Sequence, residues 1–122
     1  MVTRRVYRFE EVDWHLPAGP GADPAAVEAA AALGVARAHY AQGEAGFFVQ
    51  LVRFPPDFET PPHSHDHGEV FVVLEGSCTF DGVLMRTHDC TVVDANTKYG
   101  FTTGADGVTL LVVRTGAAAV QL

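Results

Sequence analysis

Three imidazoles and two carboxylates fall within seven residues in the segment His63-Ser64-His65-Asp66-His67-Gly68-Glu69. Side chains alternate along an extended strand, so His63 and His65, one residue apart, point to the same side and can meet at one point. Asp66-His67-Gly68 has the composition of a tight turn, and Glu69 opens the apolar run Val70 to Leu74, which closes at Gly76 after Glu75. Folding that hairpin returns Glu69 to the two imidazoles. Two neutral nitrogens and one carboxylate oxygen suit a single divalent transition metal with open coordination positions, and iron, manganese, nickel, zinc and copper all accept such donors. His67, two residues beyond His65, is a further candidate ligand, against its other reading as a solvated turn residue.

The pattern of His63, His65, Glu69 and Gly76, with one, three and six residues between them, resembles the first signature of the cupin superfamily. Asp57 stands six residues ahead of His63, where that family often has glycine. Of the second signature only a frame is present. His88 and Asp89 fall at its opening turn, Asp94 at its proline, Asn96 at its second glycine, Tyr99 at its histidine and Thr103 at its asparagine. Asn tolerates the positive φ that the glycine position asks for, whereas a phenol does not replace a neutral imidazole. Tyr99 therefore has three readings: a hydrogen-bonding partner of the ligands, a packed strand residue, or a direct ligand.

The elements that must place these groups follow from the apolar pattern. From Phe47 onward β-rich runs alternate with turn signals, the pattern of an all-β sandwich or barrel. Strands are expected near Phe47 to Phe54, around His63, and over Glu69 to Leu74, Ser77 to Phe80, Val83 to Arg86, Thr91 to Asp94, Lys98 to Thr102 and Val108 to Arg114. Asp81-Gly82 reads as a tight hairpin turn, and Gly104 to Gly107 as a loop. The cupin resemblance implies a double-stranded β-helix, or jelly-roll, barrel. Ahead of it, Asp23-Pro24 and the alanine run to Leu33-Gly34 predict a short helix with its cap, first-turn proline and terminal glycine. The Pro17 to Gly21 stretch reads as loop, so residues 1–34 form an arm and helix and residues 35–122 the barrel domain. Val35 to Tyr40 is a candidate strand pairing with Phe47 to Phe54.

At 122 residues the chain is long enough for one domain with its own core, and a net charge of -7 argues against nucleic acid or an anionic membrane as partner. No apolar run reaches membrane-spanning length, and the start lacks the apolar stretch of a secretory signal, which together predict a cytoplasmic location. Cys78 and Cys90 sit in apolar β-like segments and read as buried thiols. His15, His39 and His88 read as surface or satisfied core histidines. Val70 to Leu74 and Leu110 to Val113 are apolar at consecutive positions, so both strand faces leave water. A second copy, in a homodimer, is the expected cover for the outer face, with the N-terminal arm as the alternative.

Phe71 and Val73 share the strand parity of Glu69 and are expected to wall a narrow, dry pocket for a small organic molecule. Gln50 and Arg53 have opposite parity, so one of them faces inward to orient a polar group of that molecule. The expected activity is that of a metal-dependent oxidoreductase, a dioxygenase-like site where substrate and dioxygen share the ion. The alternatives are a metal-dependent isomerase or lyase, and a non-catalytic module that binds a small ligand.

Overall fold

A computed structural model describes residues 4–14 and 22–116 together with the backbone of 120–121. The Pro17 to Gly21 stretch and His15 lie outside the described residues. The helix α1 is Pro24–Ala32: Asp23 caps it by accepting a hydrogen bond from Ala25 N at 3.2 Å, and Gly34 ends it at φ +107°. Among the described residues eight strands follow, β1 Ala36–Gln42, β2 Phe48–Phe54, β3 Ser64–His65, β4 Glu69–Phe80, β5 Val83–Arg86, β6 Cys90–Val93, β7 Phe101–Arg114 and β8 Val120–Gln121.

Pairing is antiparallel throughout. One sheet runs in the order β1-β2-β7-β4-β5, with β6 also on β4, and β3 pairs with β8. The two long strands, β4 and β7, each serve two sets of neighbours. Their outer ends, Glu69 to Val73 and Leu110 to Arg114, pair with each other and are flanked by β6 and β2. Their other ends, Cys78 to Phe80 and Phe101 to Thr103, pair with each other beside β5 and the segment from Phe58 to His65. These are the two layers of the expected jelly-roll barrel.

The sequence predicts strand ends at Glu75-Gly76 and a loop at Gly104 to Gly107, yet both strands continue through these places. They crease there. Gly76 takes φ +79° and Gly107 φ +71°, conformations that cost glycine nothing, so the chain turns between layers and keeps its ladder. A side chain at Gly76 would overlap the carbonyl of Gly107, and one at Gly107 would lie 2.5 Å from the carbonyl of Phe54.

The core between the layers includes Phe71, Val73, Phe80, Phe101, Leu110 and Val112. Phe80 stacks on Tyr99 with centroids 5.4 Å apart and on Phe101 at 6.2 Å. On the outer side of β1 and β2 the N-terminal arm supplies cover: Tyr7 packs on Tyr40 at 5.8 Å and bonds Glu44, and Trp14 lies under the Arg53 guanidinium at 3.9 Å. The outer side of β4 and β6 is barer, with Leu74 and Val92 exposed. Cys78 is buried as expected, but Cys90 is exposed, because it opens β6 on that outer side. Among the described residues no helix is long and apolar enough to cross a membrane.

Candidate metal centre

Pro61 and Pro62 bring the chain into the barrel in extended form, and reciprocal backbone bonds between His63 and Tyr99 fix its register, His63 N to Tyr99 O at 3.0 Å and Tyr99 N to His63 O at 2.9 Å. The turn after His65 is held by Asn96, whose N donates to His65 O at 2.7 Å while its own φ is +61°. An asparagine thus supplies the left-handed backbone at the glycine position of the second signature. The His63 and His65 rings stand edge to face with centroids 5.0 Å apart, and Tyr99 lies 4.7 Å from His63. His63 Nδ1 is 2.9 Å from the Pro61 carbonyl, which can only accept, so the proton sits on Nδ1 and Nε2 presents its lone pair.

Glu69 begins β4 almost fully buried, at 2 % exposure. A carboxylate there survives only if its oxygens are bonded. Oε2 accepts from Arg114 Nε at 2.6 Å, Oε1 accepts from the Tyr99 hydroxyl at 3.1 Å, and His65 Nε2 is 3.7 Å from Oε1. Arg114 is the direct cross-strand partner of Glu69 in the ladder between β7 and β4. Burial pushes the Tyr99 phenol far above its ordinary range, the Glu69 carboxylate adds to this, and the hydroxyl remains a proton donor. Tyr99 is thus placed as a hydrogen-bonding partner of the carboxylate. Arg114 was not anticipated as part of this cluster. Its signal was the alternation Val108, Leu110, Val112, Arg114, which carries it to the same face as the core residues.

The cluster closes one end of a cavity of about 420 Å³ between the layers. Phe71 and Val112 line it, as do Ala26, Val27 and Ala30 of α1. Of the two parity alternatives, Gln50 faces inward to the cavity. Arg53 faces outward and rests on Trp14, so it does not reach a ligand in this cavity. Val73 has the expected parity but lies in the packed core at 0 % exposure and is not part of the wall. His67 points away: its ring packs on Gly116 and its Nδ1 is 2.9 Å from Asp66 Oδ1, out of reach of the cluster. His39, expected to be surface or satisfied, lines the cavity together with Arg37.

His63, His65 and Glu69 are therefore neighbours at one end of the cavity, as their spacing predicts. They are adjacent without being drawn together: among the described residues no three histidine, cysteine, aspartate or glutamate side chains stand in coordinating geometry. The donor chemistry nonetheless suits a divalent transition ion, with His63 fixed in the ligating tautomer and Glu69 oriented from behind by Arg114 and Tyr99.

A family model for the cupin domain matches residues 50–114. No curated protein matches the chain in sequence. Among solved structures the chain is similar to KdgF from Halomonas sp., at 18 % identity and a TM-score of 0.67, covering 93 % of this chain and 94 % of that one. It is similar to the polyketide cyclase RemF from Streptomyces resistomycificus, at 21 % identity and a TM-score of 0.69, covering 98 % and 84 %. It is also similar to an RmlC-like cupin from Ralstonia eutropha JMP134, at 13 % identity and a TM-score of 0.72, covering 98 % and 80 %.

Proposed function

The chain belongs to the cupin family, and on that premise we propose that it is a small-molecule enzyme that works by polarisation and proton transfer, of the isomerase, cyclase or lyase type, at a divalent metal held by His63, His65 and Glu69. The observation that carries this reading is the buried cluster of Glu69, Tyr99 and Arg114 beside two imidazoles at the end of an apolar cavity. RemF, similar in fold, is called a polyketide cyclase, a name that points to ring closure and not to oxygen consumption.

A bound divalent ion would supply Lewis acidity toward a carbonyl or hydroxyl oxygen of the substrate. The chain's own groups do the rest. The Pro61 carbonyl keeps the His63 proton on Nδ1, and Arg114 fixes the rotamer and negative charge of Glu69. Tyr99 holds its proton and presents a neutral donor between Glu69 and the cavity. Phe71 and Val112 keep water out, so these polar groups act in a low dielectric where their fields are strong.

A second reading, a metal-free binding module, is favoured by one observation: Arg114 already neutralises Glu69. Titration of the chelator-treated protein with Co²⁺, followed by visible absorption and calorimetry, separates the two. The enzyme reading expects one ion per chain and an affinity that falls by more than about 100-fold in His65→Ala, beyond what loss of an orienting partner costs. Binding weaker than millimolar in the wild type, or unchanged in His65→Ala, would leave the module. Oxygen uptake with enolic and catecholic substrates would return the reading to a dioxygenase. For the exposed outer strip at Leu74 and Val92 we propose a second copy as cover, which sedimentation of the wild type against Val92→Lys tests.

A further inference from the structure

The cavity has a second polar end, on β1. Arg37 and His39 alternate on that strand and both line the cavity, and Gln50 of β2 is the ladder partner of His39 and lines it too. Among the described residues none of these three side chains has a hydrogen-bond or ion-pair partner in the protein. His39 Nδ1 is sealed from solvent with nothing to bond. A ring nitrogen with no partner among the described residues is left for a ligand to engage. Arg37 is largely buried and close enough to Arg114 to feel its charge. The one acid among the described residues that line the cavity, Asp23, caps α1.

An arginine, an imidazole and an amide that face one cavity without partners among the described residues are polar groups that lack an acceptor. Leaving a guanidinium so placed is unfavourable unless something anionic completes it. The rest of the molecule carries the opposite sign, with a net charge of -7, so this cationic spot is local to the cavity wall.

We propose that Arg37, His39 and Gln50 form an anion subsite that takes the carboxylate of an organic acid. The apolar middle of that acid lies against Val52, Phe71 and Val112, and its reacting end lies at His63, His65 and Tyr99. β1 is three strand spacings, roughly 14 Å between backbones, from β4, whose Glu69 accepts from Tyr99 and lies 3.7 Å from His65, and the side chains reaching in from both sides leave a span of small-molecule size. The guanidinium engages both carboxylate oxygens, and the histidine and glutamine donors fill the remaining lone pairs. The inference deepens the enzyme reading by naming the substrate class, and it rests on that reading only for which end reacts.

The test uses an isosteric pair of probes, 3-phenylpropanoate and 3-phenylpropanamide, with affinities measured by calorimetry on the full chain. The wild type binds the carboxylate about tenfold or more tightly than the amide, the ratio expected for a charge-assisted bond. In Arg37→Gln the ratio falls to about one, and in Arg37→Lys, which keeps the charge and loses the fork, it takes an intermediate value. His65→Ala keeps the wild-type ratio, so a failure of the metal reading leaves this result standing. The proposal is overturned if the wild type does not prefer the carboxylate, if it fails to bind it at millimolar concentration, or if a folded Arg37→Gln protein keeps the preference. Loss of the preference in Arg114→Gln but not in Arg37→Gln would overturn it as well, by moving the anion to the other end.

Discussion

At the β4 end of the cavity both oxygens of Glu69 are held, by Arg114 at 2.6 Å and Tyr99 at 3.1 Å, whereas at the β1 end Arg37 and Gln50 face the cavity with no protein partner among the described residues. The two ends use the same residue chemistry to different purposes. The first is complete in itself, so its charges contribute to stability and fix orientation whether or not a ligand is present. The second is incomplete, so its charge costs the empty protein and is recovered on binding. An arginine on the wall of a cavity therefore says little until its partner is known.

Stability measurements on the two ends should differ most. Glu69→Ala leaves Arg114 buried and unpaired and should cost about 3–5 kcal/mol in urea unfolding, while Arg37→Met should fall within about 0.5 kcal/mol of wild type or stabilise it. Equal losses would mean that Arg37 is paired in solution and that the contrast is wrong. Tyr99 gives the next effect. Its folded pKa lies above the ordinary value near 10, so the stability it contributes is whole below that pH and is lost as pH rises toward the folded value. Unfolding free energy should decline above about pH 10 in the wild type and less steeply in Tyr99→Phe, and a late phase of phenol ionisation that coincides with unfolding should vanish in that variant. At neutral pH the same substitution should cost only about 1–2 kcal/mol, one hydrogen bond to a charged acceptor. The smallest effect is a control away from both ends: a thiol reagent should label exposed Cys90 in the folded protein, while Cys78, its thiol pushed up to about 11 by burial, reacts only on unfolding.

Much of this was legible in the sequence where spacing and parity act alone. The adjacency of His63, His65 and Glu69 follows from their spacing, because a strand, a turn and a strand leave little choice of where they go. The helix was found because Asp23, Pro24 and Gly34 each have one conformational use. The β1 end was missed for a physical reason. In Val35 to Tyr40 the outward residue Ala38 is buried and Tyr40 packs on Tyr7 of the arm, while the inward residues Arg37 and His39 are polar and face a cavity, so the usual rule of apolar inside and polar outside is inverted. Gln50 and Arg53 have opposite parity and sequence alone fits either, whereas in the structure Gln50 lines the cavity and Arg53 packs on Trp14. The glycines of Gly104 to Gly107 predict an ending in sequence, where the ladder shows a bend.

Gly76 sits at the end of the metal-type signature but touches none of its chemistry. Its missing side chain is what lets β4 pass directly against the backbone of β7 at Gly107, which in turn abuts the backbone of β2 at Phe54. Three strands meet there main chain to main chain, with no room for even a methyl group. Descendants of this chain could exchange both imidazoles and still close the roll, but Gly76→Ala would have to unseat the seam itself. The signature thus joins two separable demands, one on the donor groups beside the cavity and one on the path of the backbone.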